Sequence, residues 1–194
     1  MPAREDPFQP IKETLKRAIA ALDGAGVDFL VAGSIAAWAR GGPASSNDLD
    51  FVVRREQAER ALAALVDAGM RPEHPPEDWL LKAWDGDVLV DLIFVPTGIA
   101  VDDELFARGE QVDVAGYEMP VMALEDVLTT QLLSMDEHKL DYETPVQIAR
   151  SLREQVDWDE LRSRTADSPF AKAFFVLVEE LGVVPPATRE PARE

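Results

Sequence analysis

Over residues 8–22 the apolar positions Ile11, Leu15, Ala18, Ile19 and Leu22 return every three or four residues, the spacing of one helix face, and Asp23-Gly24 marks the stop. The apolar run 27–32, bounded by glycines, predicts a short buried strand. Residues 34–40 then predict a short helix ended by Gly41-Gly42-Pro43. A second strand is expected over 49–53. A helix over 55–68 follows, with Ala58, Ala61, Leu62 and Leu65 on one face and Gly69 as its stop. Segments 79–84 and 87–95 flank Asp85-Gly86, a pair that accepts positive φ, and so predict a hairpin. A weaker strand pair is expected over 110–115 and 118–121, turning at Gly116. From Ala123 the spacing is helical throughout, with segments near 123–136, 143–155, 157–166 and 168–182.

This order predicts a fold of the α/β or α+β class: a small mixed β-sheet core with helices over 8–122, followed by a C-terminal helical bundle over 123–184. Residues 1–7 and the tail 185–194 are polar and proline-rich and are expected to be mobile. A chain of 194 residues suits one sizeable domain or a core with a helical appendage, and 46% hydrophobic content can fill it. No apolar run approaches the ~20 residues of a membrane span, so no membrane partner is expected. The start, MPAREDPFQP, has no basic region leading into an apolar stretch, so no secretory signal is expected. Cysteine is absent, which excludes disulfides and thiolate metal sites and agrees with a cytoplasmic location. A net charge of −18, from 19 basic and 37 acidic residues, weighs against non-specific nucleic-acid binding, which depends on neutralising phosphates.

Within this pattern a few polar residues fit poorly with packing alone. In the strand DLDFVV, alternation puts Asp48 and Asp50 on one face and Leu49, Phe51 and Val53 on the other. Two carboxylates so placed repel each other, and a divalent cation relieves the repulsion. A loop cap and a solvated edge residue would equally account for that pair taken alone. Asp91 lies in VLVDLIFV, a run apolar on both faces that predicts a strand buried between layers, where a lone carboxylate is costly unless paired or bound to metal. Three carboxylates on neighbouring strands suit the oxygen-rich coordination of magnesium. Gly33-Ser34 stands where a strand meets a helix. There glycine admits a phosphate close to the backbone, and Ser34 can cap the helix or donate to phosphate.

Gly33-Ser34, then Asp48-Leu49-Asp50, then Asp91 in a later apolar strand resembles the nucleotidyltransferase superfamily typified by DNA polymerase β. The likeness covers roughly residues 27–95. The whole chain most resembles the AbiEii and MenT-type toxin nucleotidyltransferases, with Lys139 in EHKLDYETP and Asp157 in REQVDWDEL at comparable places in the helical region. The resemblance implies transfer of a nucleoside monophosphate from an NTP to an acceptor hydroxyl with release of pyrophosphate, assisted by two Mg²⁺ ions. Asp48 and Asp50 would bind the ion on the triphosphate. Asp91, with one of them, would hold the second ion and act on the attacking hydroxyl. Gly33 and Ser34 would hold the β- and γ-phosphates, and Lys139 would neutralise triphosphate charge. Asp157 would orient Lys139 or a substrate hydroxyl, while VDWDEL by itself reads well as an N-cap ahead of a helix. Ser46 would lie at the mouth of the site, where MenT-type relatives can carry a silencing modification.

For a toxin the implied acceptor is the 3′ end of a tRNA and the implied partner a cognate antitoxin. The net charge instead favours a cationic small-molecule acceptor, as for an aminoglycoside adenylyltransferase. A non-catalytic nucleotide-binding protein on the same fold is the third reading. His138 and His74 read as surface or loop residues. The four tryptophans read as packing, with Trp79 or Trp84 able to border a nucleotide, and Arg54-Arg55 reads as an exposed pair beside the aspartates.

Overall fold

The computed structural model describes residues 8–43, 48–114 and 116–186; the terminal stretches expected to be mobile lie mostly outside the described residues. Helix α1 (Gln9–Gly24) leads into strand β1 (Phe29–Val31), helix α2 (Gly33–Ala39) and strand β2 (Asp48–Val53). A 3-10 turn (Arg55–Gln57) opens helix α3 (Ala58–Asp67), followed by strands β3 (Arg71–Glu73), β4 (Leu80–Asp85) and β5 (Val88–Ile93). Helix α4 (Asp103–Arg108) precedes the hairpin of β6 (Glu110–Val114) and β7 (Tyr117–Val121). Helices α5 (Leu124–Leu133), α6 (Glu143–Leu152), α7 (Trp158–Arg164) and α8 (Pro169–Glu180) complete the described chain.

The strands form one mixed sheet in the order β3-β4-β5-β2-β1-β7-β6. β2 runs parallel to β5 and β1 parallel to β7, while the remaining neighbours are antiparallel. The two faces carry different residues. Leu49, Phe51 and Val53 of β2, level with Val90 and Leu92 of β5, are buried, and α1 and α3 pack across this part of the sheet. The helix faces read from the sequence are the buried ones: Ile11, Leu15, Ala18, Ile19 and Leu22 in α1, and Ala58, Ala61, Leu62 and Leu65 in α3. α5 packs against α2, α6, α7 and α8, so the helical region is joined to the sheet in one continuous apolar cluster running from Ile11 to Val184. Among the described residues no helix is long and apolar enough to cross a membrane.

Four details depart from the sequence reading. Strand β3 has no alternation to announce it and contains Pro72, and it exists because β4 offers it an edge to pair with. Helix α4 buries only Leu105 and is too short to show periodicity, although Asp102 caps it by accepting from the Leu105 N–H at 2.9 Å. The β4–β5 loop is Gly86-Asp87 and not Asp85-Gly86, since Asp85 pairs with Val88. Finally, β5 is not buried on both faces. Val88, Val90 and Leu92 are buried, but Leu89, Asp91 and Ile93 on the other face are only partly so.

Candidate active site

The parallel register of β2 and β5 sets Asp50 beside Asp91 and Asp48 beside Leu89. Paired residues of neighbouring strands point to the same side, so Asp48, Asp50 and Asp91 share the face turned away from α1 and α3. On its other flank Asp91 pairs with Lys82 of β4, whose Nζ lies 3.0 Å from Asp91 Oδ1. The Asp50 carboxyl is pushed up to about 7, first by burial and then by the charges of Asp91 and Asp48, with Lys82 opposing. Burial also raises Asp91, against the hydrogen bond and charge of Lys82. Asp48, at the start of the strand, is exposed. The face is therefore rich in acid and has one nearby ammonium to offset it. Among the described residues no three acidic or histidine side chains stand together as a ready-made metal cage.

Gly33 meets this group from the side. The Ala32 N–H donates to the Asp50 carbonyl at 2.8 Å, which ties the end of β1 to β2. The chain then turns through Gly33 at φ +58° straight into α2. A Cβ at this position would overlap Asp50 Oδ2, so only glycine fits, both for the backbone angle and for the space. Ser34 is buried and lines the cleft above Asp50. It does not cap the helix, as its position in sequence suggested, because α2 begins one residue earlier with Ala32 at the N-cap.

The cleft has a volume of about 760 Å³ and is walled by Gly33, Ser34, Asp48, Asp50 and Val52 on the sheet side and, opposite, by Thr130 and Gln131 of α5 and Ser134 just after it. Lys139 also lines it. The turn that carries Lys139 is closed by Asp136, whose Oδ1 accepts the backbone N–H groups of His138 and Lys139 at 2.8 and 3.0 Å. His138 itself lies outside, against Glu137. Asp91 stands beside Asp50 but does not line the cleft wall. Asp157 is not brought to the site. Its carboxylate caps α7, accepting the N–H groups of Asp159 and Glu160 at 3.1 and 3.0 Å, and it does not line the cleft. Ser46 lies outside the described residues.

Three further residues belong to the picture. Asp78 and Trp79 line the cleft, and Trp79 is 42% exposed, so it borders the opening rather than packing the core. Lys82 is the third, and its signal was present in the hairpin. A Gly86-Asp87 loop pairs position 82 with 91, whereas an Asp85-Gly86 loop would have paired Leu80 with Asp91. Arg54 and Arg55 are not a simple exposed pair. Arg54 bonds Asp28 and Asp103 and stacks on Phe106, and Arg55 stacks on Phe94, at the end of β2 away from Asp48.

A family model described as "uncharacterised nucleotidyltransferase" matches residues 37–188, which takes in Asp48, Asp50, Asp91 and Lys139 but begins after Gly33-Ser34. No curated protein matches. Among solved structures, the antibiotic-resistance factor ANT(2'')-Ia is similar with a TM-score of 0.62 at 15% identity, over 91% of this chain and 98% of that one. The lincosamide antibiotic adenylyltransferase LnuA, bound to lincomycin, has a TM-score of 0.52 at 12% identity, over 71% and 93%. An antigenic nucleotidyltransferase-like protein from Paracoccidioides brasiliensis has a TM-score of 0.50 at 14% identity, over 88% and 92%. At such identities the likeness speaks for the fold. Taken with the family match, which spans most of the chain, it establishes that this protein belongs to a nucleotidyltransferase family and has the nucleotidyltransferase fold.

Proposed function

We propose that this chain is a metal-dependent enzyme that moves a nucleoside monophosphate from an NTP to an acceptor hydroxyl and releases pyrophosphate. The observation that carries this reading is the pairing of Asp50 with Asp91, on the face shared with Asp48, under a glycine that leaves room for nothing but the Asp50 carboxylate. Carboxylate oxygens suit a hard cation such as Mg²⁺, and acids that repel one another are stabilised by it. Asp48 and Asp50 are the residues that would hold it. A divalent ion bound there supplies charge to stabilise the phosphates as the bond to the leaving pyrophosphate breaks.

The chain's own groups do the rest. Gly33 and Ser34 line the cleft beside Asp50 and meet the triphosphate, and Lys139 across the opening neutralises part of its charge. Asp91 stands behind the cleft wall beside Asp50, and to it we assign the proton of the attacking hydroxyl, taken up as the phosphoester bond forms and pyrophosphate leaves. The exposed face of Trp79 is available to the base or to the acceptor.

The likeness of the helical C-terminal region, with Lys139 and Asp157, to AbiEii and MenT-type toxins supports a tRNA 3′ end as acceptor, with a cytoplasmic setting and a cognate antitoxin as partner. One observation favours a second acceptor: Asp48, Asp50 and Asp78 outnumber Lys139 along the cleft, which suits a cationic small molecule better than a polyanion. Incubation with each labelled NTP and Mg²⁺, in one arm with total tRNA and in another with an aminoglycoside, separates the two. Label is expected in one arm and absent with Asp48→Ala. Transfer that survives the substitution would remove Asp48 from the mechanism.

A further inference from the structure

Lys82 is placed unlike an ordinary surface lysine. Four side chains stand in register across four strands on the cleft side of the sheet: Glu73 on β3, Lys82 on β4, Asp91 on β5 and Asp50 on β2. The side chains of Lys82 and Asp91 are 21% and 17% exposed, and their charged atoms meet at 3.0 Å. Sequestering an ammonium to this degree is costly unless it is paired, so the contact is a built one and not a passing surface pair. Its strand is anchored on both sides. β5 pairs along its whole length with β4, and on β3 Glu73 accepts from Trp84 Nε1 at 2.6 Å while Arg71 lies over the Trp84 ring.

Asp91 is in turn the register partner of Asp50, so the ammonium of Lys82 stands in the same row as the site's acids. Asp91 Oδ1 is turned to Lys82, which bonds it at 3.0 Å.

Building on the catalytic reading above, we infer that Lys82 is a positioning residue that stands in for a second divalent ion, holding Asp91 with its ammonium so that the site binds one ion, on Asp48 and Asp50. A tethered ammonium is present at any metal concentration, so the acceptor side of the site is formed before metal arrives.

The test counts bound Mn²⁺ by electron paramagnetic resonance in the full chain saturated with a non-hydrolysable NTP analogue. Wild type is expected to hold one ion per chain, Lys82→Met two, and Lys82→Arg one. Two ions in wild type, or one in a folded Lys82→Met, would overturn the inference and leave the proposed transferase activity standing. If Lys82→Met does not fold, Asp91→Asn decides: one ion is expected, as in wild type, whereas a two-ion site would fall from two to one. Retention of no ion by wild type would strike the metal site itself, and this inference with it. Rescue of the ion count by arginine separates a cationic role from simple packing, which methionine would serve as well.

Discussion

Asp50, half-buried in the cleft, and Asp126, fully buried between the helices, have surroundings that differ in kind. Asp126 on α5 has no exposed surface and faces two guanidinium groups. Arg108 of α4 binds both its oxygens at 3.1 Å, and Arg164 of α7 binds Oδ1. That carboxylate is more than compensated, and it locks three helices together. Asp50 faces two other carboxylates, and the nearest ammonium is bonded to one of those rather than to Asp50. A buried acid supplied with its counter-charges is a structural joint, whereas one left short of them is poised to take up a cation. Sequence type does not distinguish the two, and the neighbours do.

Four substitutions would break or sharpen this contrast. Asp50→Asn should lower label transfer by roughly a thousandfold or more, on the order of 4 kcal/mol of transition-state stabilisation. The same change should leave the metal-free fold intact or improve it. The sign follows from its protonation. The folded carboxyl sits at about 7 against 3.8 when unperturbed, so the folded chain holds the proton more tightly. The resulting stability is whole below pH 3.8 and is lost as pH rises towards 7. In EDTA at pH 8, Asp50→Asn should therefore melt higher than wild type, by roughly 1–3 kcal/mol, and the difference should vanish at low pH. A variant that melts lower at pH 8 would contradict the idea of an under-compensated cleft.

Asp126→Ala should do the reverse. Leaving two arginines without their buried partner should cost about 3–5 kcal/mol, visible as a fall in melting temperature on the order of 10 °C. Chains that remain folded at low temperature should retain turnover. Gly33→Ala lies between these, since it strains the backbone at φ +58° and drives a methyl into Asp50. It should cost roughly 1–3 kcal/mol of stability and most of the nucleotide affinity, read by calorimetry. Asp157→Ala should have the smallest effect. Loss of a helix cap is worth about 1 kcal/mol in a urea melt, with label transfer unchanged. A large loss of transfer at unchanged stability would return Asp157 to the site.

Much of this was legible because it depends on local order. The apolar faces of α1 and α3 follow from their own spacing, and alternation along DLDFVV puts Asp48 and Asp50 on one side whatever the strand pairs with. What escaped depends on partners distant in the chain. β3 needs the edge of β4, whereas the cap that Asp157 makes for α7 is local and was legible in VDWDEL. The partner of Asp91 depended on a loop displaced by one residue, which moved its neighbour from Leu80 to Lys82 without changing the face.

The sequence alone determined the mixed α/β order, the acids on β2 and β5, and the glycine that opens α2, because periodicity and backbone geometry act over a few neighbouring residues. Only the tertiary structure decided that Asp50 and Asp91 would be side by side, that Lys82 would hold Asp91, and that Asp126 would receive two arginines instead. Those outcomes come from strand register and helix packing, which bring together residues far apart in the chain and set how much charge surrounds each carboxylate.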